Sequence, residues 1–326
     1  MAAAAAVVVV VVMVVVCGGH WSCLNHAQPI PVAEVDRFAI MNVTVTDVWS
    51  PRADKSSDGR VNWSQVLLAP QVDYSRKARK LWPLDPQCSW VEVRFGLRLK
   101  KTWLLSFPRS GNSWTRYLLE AATGFFTSSI YNSTHLKYLG YLGEAEPPLR
   151  GTTLVIKTHS VGPLAHFPQF PVIALVRSPA RAIISYWNYM SVEEAWRRFK
   201  GSVSRSSYRT AAFHKFVREK LENWKSIYVT VLRNTSRLHL VYYEHLREDP
   251  LKELRAILAF LGVRTSEARL ACLARHLDGV AKGGQREVYP YTAWERAMFQ
   301  RALAQLDVLF RLRGFPPLPD YRRYKS

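Results

Sequence analysis

The stretch Trp103-Leu104-Leu105-Ser106-Phe107-Pro108-Arg109-Ser110-Gly111-Asn112-Ser113-Trp114-Thr115-Arg116 holds residue types whose spacing could do chemistry. Trp103 to Phe107 is an apolar run of strand length. Pro108 closes it, because proline has no N–H to give to a sheet. Gly111 permits a turn that a side chain would block. From Asn112 the apolar residues Trp114, Tyr117, Leu118, Ala121 and Ala122 recur at helical spacing. A strand that passes into a helix through small residues makes an anion cradle. The first helical N–H groups lack partners, and the helix dipole is positive at that end. Arg109 adds a full charge, so the expected guest is a phosphate-like group. GxxxxGK[ST] is absent and no lysine precedes the helix Ser/Thr, which disfavours a magnesium-nucleotide triphosphatase.

The elements that must position this loop follow from the pattern after residue 101. Strands are expected at Thr153–Lys157, Val172–Arg177 and Leu238–Tyr243. Helices are expected at Pro179–Tyr189, Phe213–Trp224, Leu251–Leu261, Ser266–His276 and Trp294–Phe310. Pro179 suits a first helical turn and Gly262 a helix end. Alternating strands and helices imply an α/β fold with a mainly parallel sheet covered on both faces. Ligands in such folds bind at the carboxyl ends of the strands.

The rest of the chain bounds the setting. Its 326 residues, 48% of them apolar, suffice for one large domain plus an extension. The formal charge of +20 favours an anionic partner: nucleic acid, a phosphorylated cofactor, an acidic glycan or a membrane surface. Met1 to Val16 is an unbroken Ala/Val run apart from Met13, followed by Gly18 and Gly19, and reads as a signal peptide or a signal anchor over residues 1–19. Sequons at Asn42, Asn62, Asn132 and Asn234 take in half of the asparagines and point to a luminal route. Targeting and sequons together oppose a nucleic-acid partner. Residues 20–100 read as a stem or irregular lead-in, with the basic cluster Arg76-Lys77-Ala78-Arg79-Lys80 as a solvated face. Cys17, Cys23, Cys88 and Cys272 form no CxxC pair, which weakens a zinc or redox reading and leaves the pairing open. No acidic cluster has metal spacing.

Three stretches in order resemble the sulfotransferase family. Pro108-Arg109-Ser110-Gly111-Asn112-Ser113-Trp114 is similar to its 5′-phosphosulfate loop. Lys157-Thr158-His159 is similar to its Lys-Thr-His motif. Arg177 and Ser185, eight apart, are similar to its 3′-phosphate motif. The run Val241-Tyr242-Tyr243-Glu244-His245-Leu246 through Gly262 also resembles the later part of that family. The likeness covers roughly 101–326 and implies a P-loop-like three-layer sandwich. Within the family it is nearest the sulfotransferase domain of WSC-domain-containing proteins, which are Golgi type II membrane proteins linked to sulfation of sialic acid. Ser106 to Phe125, Cys272, Asp278-Gly279, Lys282 and Pro290-Tyr291-Thr292 carry that nearness. The cysteine-rich WSC modules themselves are not expected before residue 100.

The resemblance implies 3′-phosphoadenosine 5′-phosphosulfate as cofactor, with no metal, and a glycan hydroxyl as acceptor, acidic or sialylated. It implies that Arg109 and the N–H groups of Ser110, Gly111, Asn112 and Ser113 hold the 5′-phosphosulfate. Lys157 would neutralise the leaving oxygen and His159 would act as base. Arg177 and Ser185 would grip the 3′-phosphate, Trp114 would stack near adenine, and Lys282 would sit in a basic loop closing on the 3′-phosphate. The expected location is a Golgi membrane, single-pass with a luminal domain, or alternatively secretion. Two other readings remain: a non-catalytic nucleotide- or glycan-binding protein that retains the fold, and a P-loop kinase-like enzyme, which the missing Walker lysine disfavours.

Overall fold

The computed structural model describes residues 70–191, 204–279 and 288–322. The Ala/Val run, Asn42, Asn62, Cys17, Cys23 and Lys282 lie outside these residues. The strands are β1 (Gln71–Val72), β2 (Arg79–Lys80), β3 (Glu92–Val93), β4 (Gly96–Leu97), β5 (Trp103–Ser106), β6 (Ser128–Ser129), β7 (Ile156–Thr158), β8 (Val172–Val176) and β9 (Leu238–Tyr242). The helices are α1 (Asn112–Thr123), α2 (Thr134–Tyr138), α3 (Gly162–His166), α4 (Pro179–Ser191), α5 (Ala211–Asn234), α6 (Tyr243–Glu248), α7 (Pro250–Leu261), α8 (Glu267–Arg275) and α9 (Ala293–Leu312). Among the described residues no helix is long and apolar enough to cross a membrane.

The central sheet runs β6-β7-β5-β8-β9, all parallel. Its central strands β5 and β8 are buried and largely apolar on both faces because both faces are covered. Trp103, Leu105, Val172, Ala174 and Val176 join one core cluster with Phe213, Trp224 and Tyr228 of α5 and Phe299, Leu306 and Phe310 of α9. Leu104, Ile173, Leu175 and Val241 point the other way, into Leu118, Leu119 and Ala122 of α1, Leu254 and Ile257 of α7, and Leu270 and Leu273 of α8. The period-two alternation of strand side chains thus divides two cores and makes three layers.

Helix boundaries follow their chemistry. Thr210 caps α5 by accepting the Phe213 N–H, and Asp249 caps α7 ahead of Pro250. A reciprocal Thr292–Glu295 capping box starts α9. Gly262 ends α7 at a φ of 68°. Helix α5 runs ten residues past the expected end at Trp224, to Asn234. Its buried Tyr228, Val231 and Leu232 continue the apolar stripe that began at Phe213.

Residues 70–100 differ from an irregular lead-in. β1 pairs with β4 and β2 with β3, both antiparallel. Val91, Val93 and Phe95 are buried, the last two against Phe126. Cys88 is disulfide-bonded to Cys272 of α8, 184 residues further along the chain. Nor is the basic cluster wholly solvated. Arg76 makes a two-pronged ion pair with Glu146 at 2.6 and 3.0 Å and lies 3.5 Å over the Phe95 ring. Arg79 donates to the Gly140 carbonyl. Glu146, Leu139 and Gly140, and Cys272 lie 60 to 184 residues from the side chains they bind, so nothing local announces them.

Candidate active site

Parallel pairing brings the carboxyl ends of β5, β7 and β8 to one edge of the sheet. The chain leaves β5 toward β7 on one side and β8 on the other, which makes this edge a topological switch point. All three sequence-marked stretches begin there.

The loop between β5 and α1 is held in an uncommon backbone shape. Arg109 has a φ of 64° and Gly111 a φ of 94°. A Cβ on Gly111 would meet the Tyr243 ring at 2.6 Å, so glycine is required both for its conformation and for that close approach. Helix α1 has no side-chain cap, and its first backbone bond joins the Thr115 N–H to the Gly111 carbonyl. The Asn112 and Ser113 amides therefore face the loop as helix-terminal donors. The Ser110 N–H, by contrast, is engaged by the Phe107 carbonyl at 3.3 Å, and the Ser110 side chain is buried. Asn112 serves as a strut. Its Nδ2 donates to the Leu104 carbonyl and to Ser106 Oγ, both at 3.1 Å.

Lys157 and His159 stand two residues apart at the end of β7, so strand periodicity sends them to the same side. The His159 Nδ1–H donates to the Ser106 carbonyl at 2.8 Å. That bond selects the tautomer in which Nε2 carries the lone pair and can accept a proton. Burial, then the neighbouring Lys157 charge, pushes the His159 pKa down to about 3, so the ring is neutral at any working pH. Lys157 is buried, and burial, then the Arg116 charge, lowers its pKa to about 8, against the pull of Glu144. A neutral base and a cation poised to respond to a nearby anion thus sit side by side.

Arg177, at the end of β8, is buried and donates to the Arg109 carbonyl at 2.6 Å. Its guanidinium lies 4.3 Å over the Tyr243 ring. Ser185, two turns into α4, accepts from Arg109 Nε at 3.2 Å. The structure therefore brings Arg109, Gly111, Asn112, Ser113, Lys157, His159, Arg177 and Ser185 to one place. Three cations with an uncapped helix end fit a ligand carrying more than one anionic group.

Trp114 is placed differently from a stacking platform. The indole is 2% exposed, its Nε1–H donates to the Leu277 carbonyl at 2.7 Å, and it packs edge-on against Tyr243. Of the sequons described, Asn234 is exposed at the end of α5. Asn132 is half-buried at a φ of 48°, and its Oδ1 is without a hydrogen-bond partner among the described residues. A cavity of about 540 Å³ beside Tyr117, Trp82 and His276 is lined by none of the residues gathered at the strand ends. Asp85, Cys88 and His276 cluster near it, but the Cys88 sulfur is committed to its disulfide, and Asp85 is hydrogen-bonded to His276 and ion-paired with Arg275.

Sequence reasoning gave no role to Tyr131, Tyr243, Arg116 or Glu144. Tyr243 lies in a run already similar to the family, and Arg116 interrupts the apolar pattern of α1. Tyr131 and Glu144 carry no local signal.

An open parallel sheet with a glycine-turned loop running into a helix N-terminus at its switch point defines a P-loop-like α/β protein. The family model described as the sulfotransferase domain matches residues 99–279. That is more than half of the chain, which belongs to this family. Two relatives are a WSCD family member of Drosophila pseudoobscura pseudoobscura, 34% identical over 65% of this chain and 66% of its own length, and one of Aedes aegypti, 36% identical over 57% of each. The chain thus aligns with less than two thirds of their length. A crystal structure of mouse sulfotransferase SULT7A1 complexed with PAP aligns at 18% identity and a TM-score of 0.43, covering 67% of this chain and 89% of that one.

Proposed function

We propose that this protein transfers a sulfuryl group from 3′-phosphoadenosine 5′-phosphosulfate to a hydroxyl of a glycan, with an acidic or sialylated chain as the favoured acceptor. The observation that carries the reading is the pairing of a neutral, tautomer-fixed His159 with buried Lys157, opposite the uncapped end of α1. When bound, the cofactor supplies an activated sulfuryl group. Arg109 and the Asn112 and Ser113 amides would hold its 5′ end, and Arg177 and Ser185 its 3′-phosphate.

This chain's residues then act by position and charge. His159 Nε2 takes the proton of the acceptor hydroxyl while Nδ1–H stays on the Ser106 carbonyl. Lys157 stabilises negative charge that develops beside it, and an anion there raises its pKa from about 8, keeping it protonated. The +20 charge suits an acidic acceptor. We place the protein in the Golgi lumen, anchored through its N-terminal apolar run and glycosylated at exposed Asn234. The Cys88–Cys272 disulfide favours such an oxidising compartment.

Labelled sulfate transfer onto a panel of sialylated and desialylated glycans tests the reading. Transfer that is strongest on the sialylated members is expected. Binding of 3′-phosphoadenosine 5′-phosphate with no transfer to any member would favour a binding protein that retained the fold.

A further inference from the structure

The segment after β6 crosses directly over the β7 motif. Its path is fixed on both sides. Ser129 is in register with Lys157, and the Ile130 N–H donates to the Lys157 carbonyl at 3.2 Å. The Tyr131 N–H is then taken by Ser129 Oγ at 2.9 Å. Two residues on, the Ser133 N–H donates to Glu144 Oε2 at 2.9 Å, and Glu144 is ion-paired with Arg116 of α1, both side chains being without exposed surface. Arg116 in turn donates to Thr127 Oγ1 and to the Thr127 carbonyl. The segment is thereby tied to the same helix whose N-terminus forms the anion cradle.

What this framework presents to the site is one side chain. The Tyr131 hydroxyl accepts the His159 main-chain N–H at 2.7 Å. Its ring stacks on the imidazole, with centroids 5.5 Å apart and planes 28° apart. The Lys157 ammonium lies 5.8 Å from the centre of the same ring. Tyr131 thus touches both residues of the Lys-Thr-His motif that the chemistry needs. A main-chain N–H at a strand end has lost its ladder partner, and the phenol oxygen replaces it. A ring laid along the imidazole keeps water from one side of it.

Resting on the sulfuryl-transfer reading above, we propose that Tyr131 is a positioning residue for the base: its hydroxyl fixes the backbone of His159 and its ring packs along the imidazole, so that Nε2 is held aimed at the acceptor hydroxyl. The charged groups facing His159 are Lys157 from β7, Arg109 from the loop and Arg116 from α1. Ser106 of β5 holds Nδ1. All four remain when Tyr131 is replaced, so a change in His159 reports on Tyr131 itself.

The test uses the full chain carrying labelled histidine, with the His159 ring signal identified by its loss in His159→Gln. Tyr131→Phe keeps the ring and removes the hydroxyl. Tyr131→Leu removes both. In Tyr131→Leu the His159 titration moves up toward the ordinary value of about 6.5 as water reaches the ring, whereas in Tyr131→Phe it stays low. In the transfer assay kcat falls roughly tenfold in Tyr131→Phe and about a hundredfold in Tyr131→Leu, and the acid limb of the kcat–pH profile moves up only in the latter. The cofactor KM changes less than about threefold in both, because the anion cradle is untouched. A merely structural tyrosine would lower the apparent kcat through loss of folded protein, and would leave KM, the pH profile and the His159 titration where they were. His159 titrating at the same pH in wild type and Tyr131→Leu would overturn the inference. If the wild type transfers no sulfate to any acceptor, the functional reading falls, and the titration still decides this inference by itself.

Discussion

Glu144→Gln is the sharpest probe of how the site is supported. Glu144 and Arg116 form an ion pair in which neither side chain is exposed. Arg116 keeps its bonds to Thr127 Oγ1 and the Thr127 carbonyl, so the substitution leaves a buried guanidinium without its ion-pair partner. Breaking one side of such a pair costs about 3–5 kcal/mol. Glutamine still accepts from the Ser133 N–H, which puts the expected loss near the low end of that range. For a body of this size each kcal/mol moves the melting temperature by about 2–4 °C, so a drop of roughly 10 °C is expected. Thermal and urea unfolding measure it. The double variant Arg116→Met/Glu144→Met should lose less than the sum of its single changes, because apolar neighbours do not require a countercharge. A functional consequence follows from the same charge. Glu144 supports the protonated form of Lys157, so its removal lowers that pKa further and moves the alkaline limb of the rate profile to lower pH. A Glu144→Gln protein melting within about 2 °C of wild type would refute the reasoning.

Three other outcomes are expected. His159→Ala should abolish sulfate transfer and leave calorimetric binding of 3′-phosphoadenosine 5′-phosphate, without added magnesium, within about threefold of wild type, since His159 lies at the end of β7 and the anion donors lie on the loop, α1 and β8. The kcat/KM–pH profile should be flat through neutrality: His159 stays unprotonated down to about 3, and activity declines only above about 8 as Lys157 loses its proton. An acid limb at pH 6 to 7 would show that His159 of the free enzyme is not held neutral through that range. Gly111→Ala places an L-residue at a φ of 94° with its Cβ 2.6 Å from the Tyr243 ring, and should cost about 1–3 kcal/mol in urea unfolding together with roughly tenfold in nucleotide affinity.

Several features needed only local pattern. Trp103 to Asn112 shows a strand, a turn and a helix because Pro108 and Gly111 leave the backbone few alternatives, and α1 begins at Asn112 as expected. The β7 strand begins at Ile156 rather than Thr153 and α5 runs on to Asn234, since pairing and packing set those limits. The parallel sheet was legible in the alternation of apolar runs with amphipathic helices. The order β6-β7-β5-β8-β9 was not, because hydrogen bonding between strands distant in sequence decides it.

The sequence by itself determined the anion loop, the Lys157–His159 pair and the Arg177–Ser185 pair, because each is a short motif whose spacing reflects one strand end or one helix face. Only the tertiary structure decided what surrounds them. Trp114 turned inward, since Leu277 captures its N–H. Residues 70–100 joined the body through Cys272, Glu146 and Phe126. The tautomer of His159 depends on a carbonyl 53 residues earlier in the chain, and its shielding on a tyrosine 28 residues earlier. Motifs are local because backbone geometry is local. The protonation state of a base is set by whatever folding packs against it.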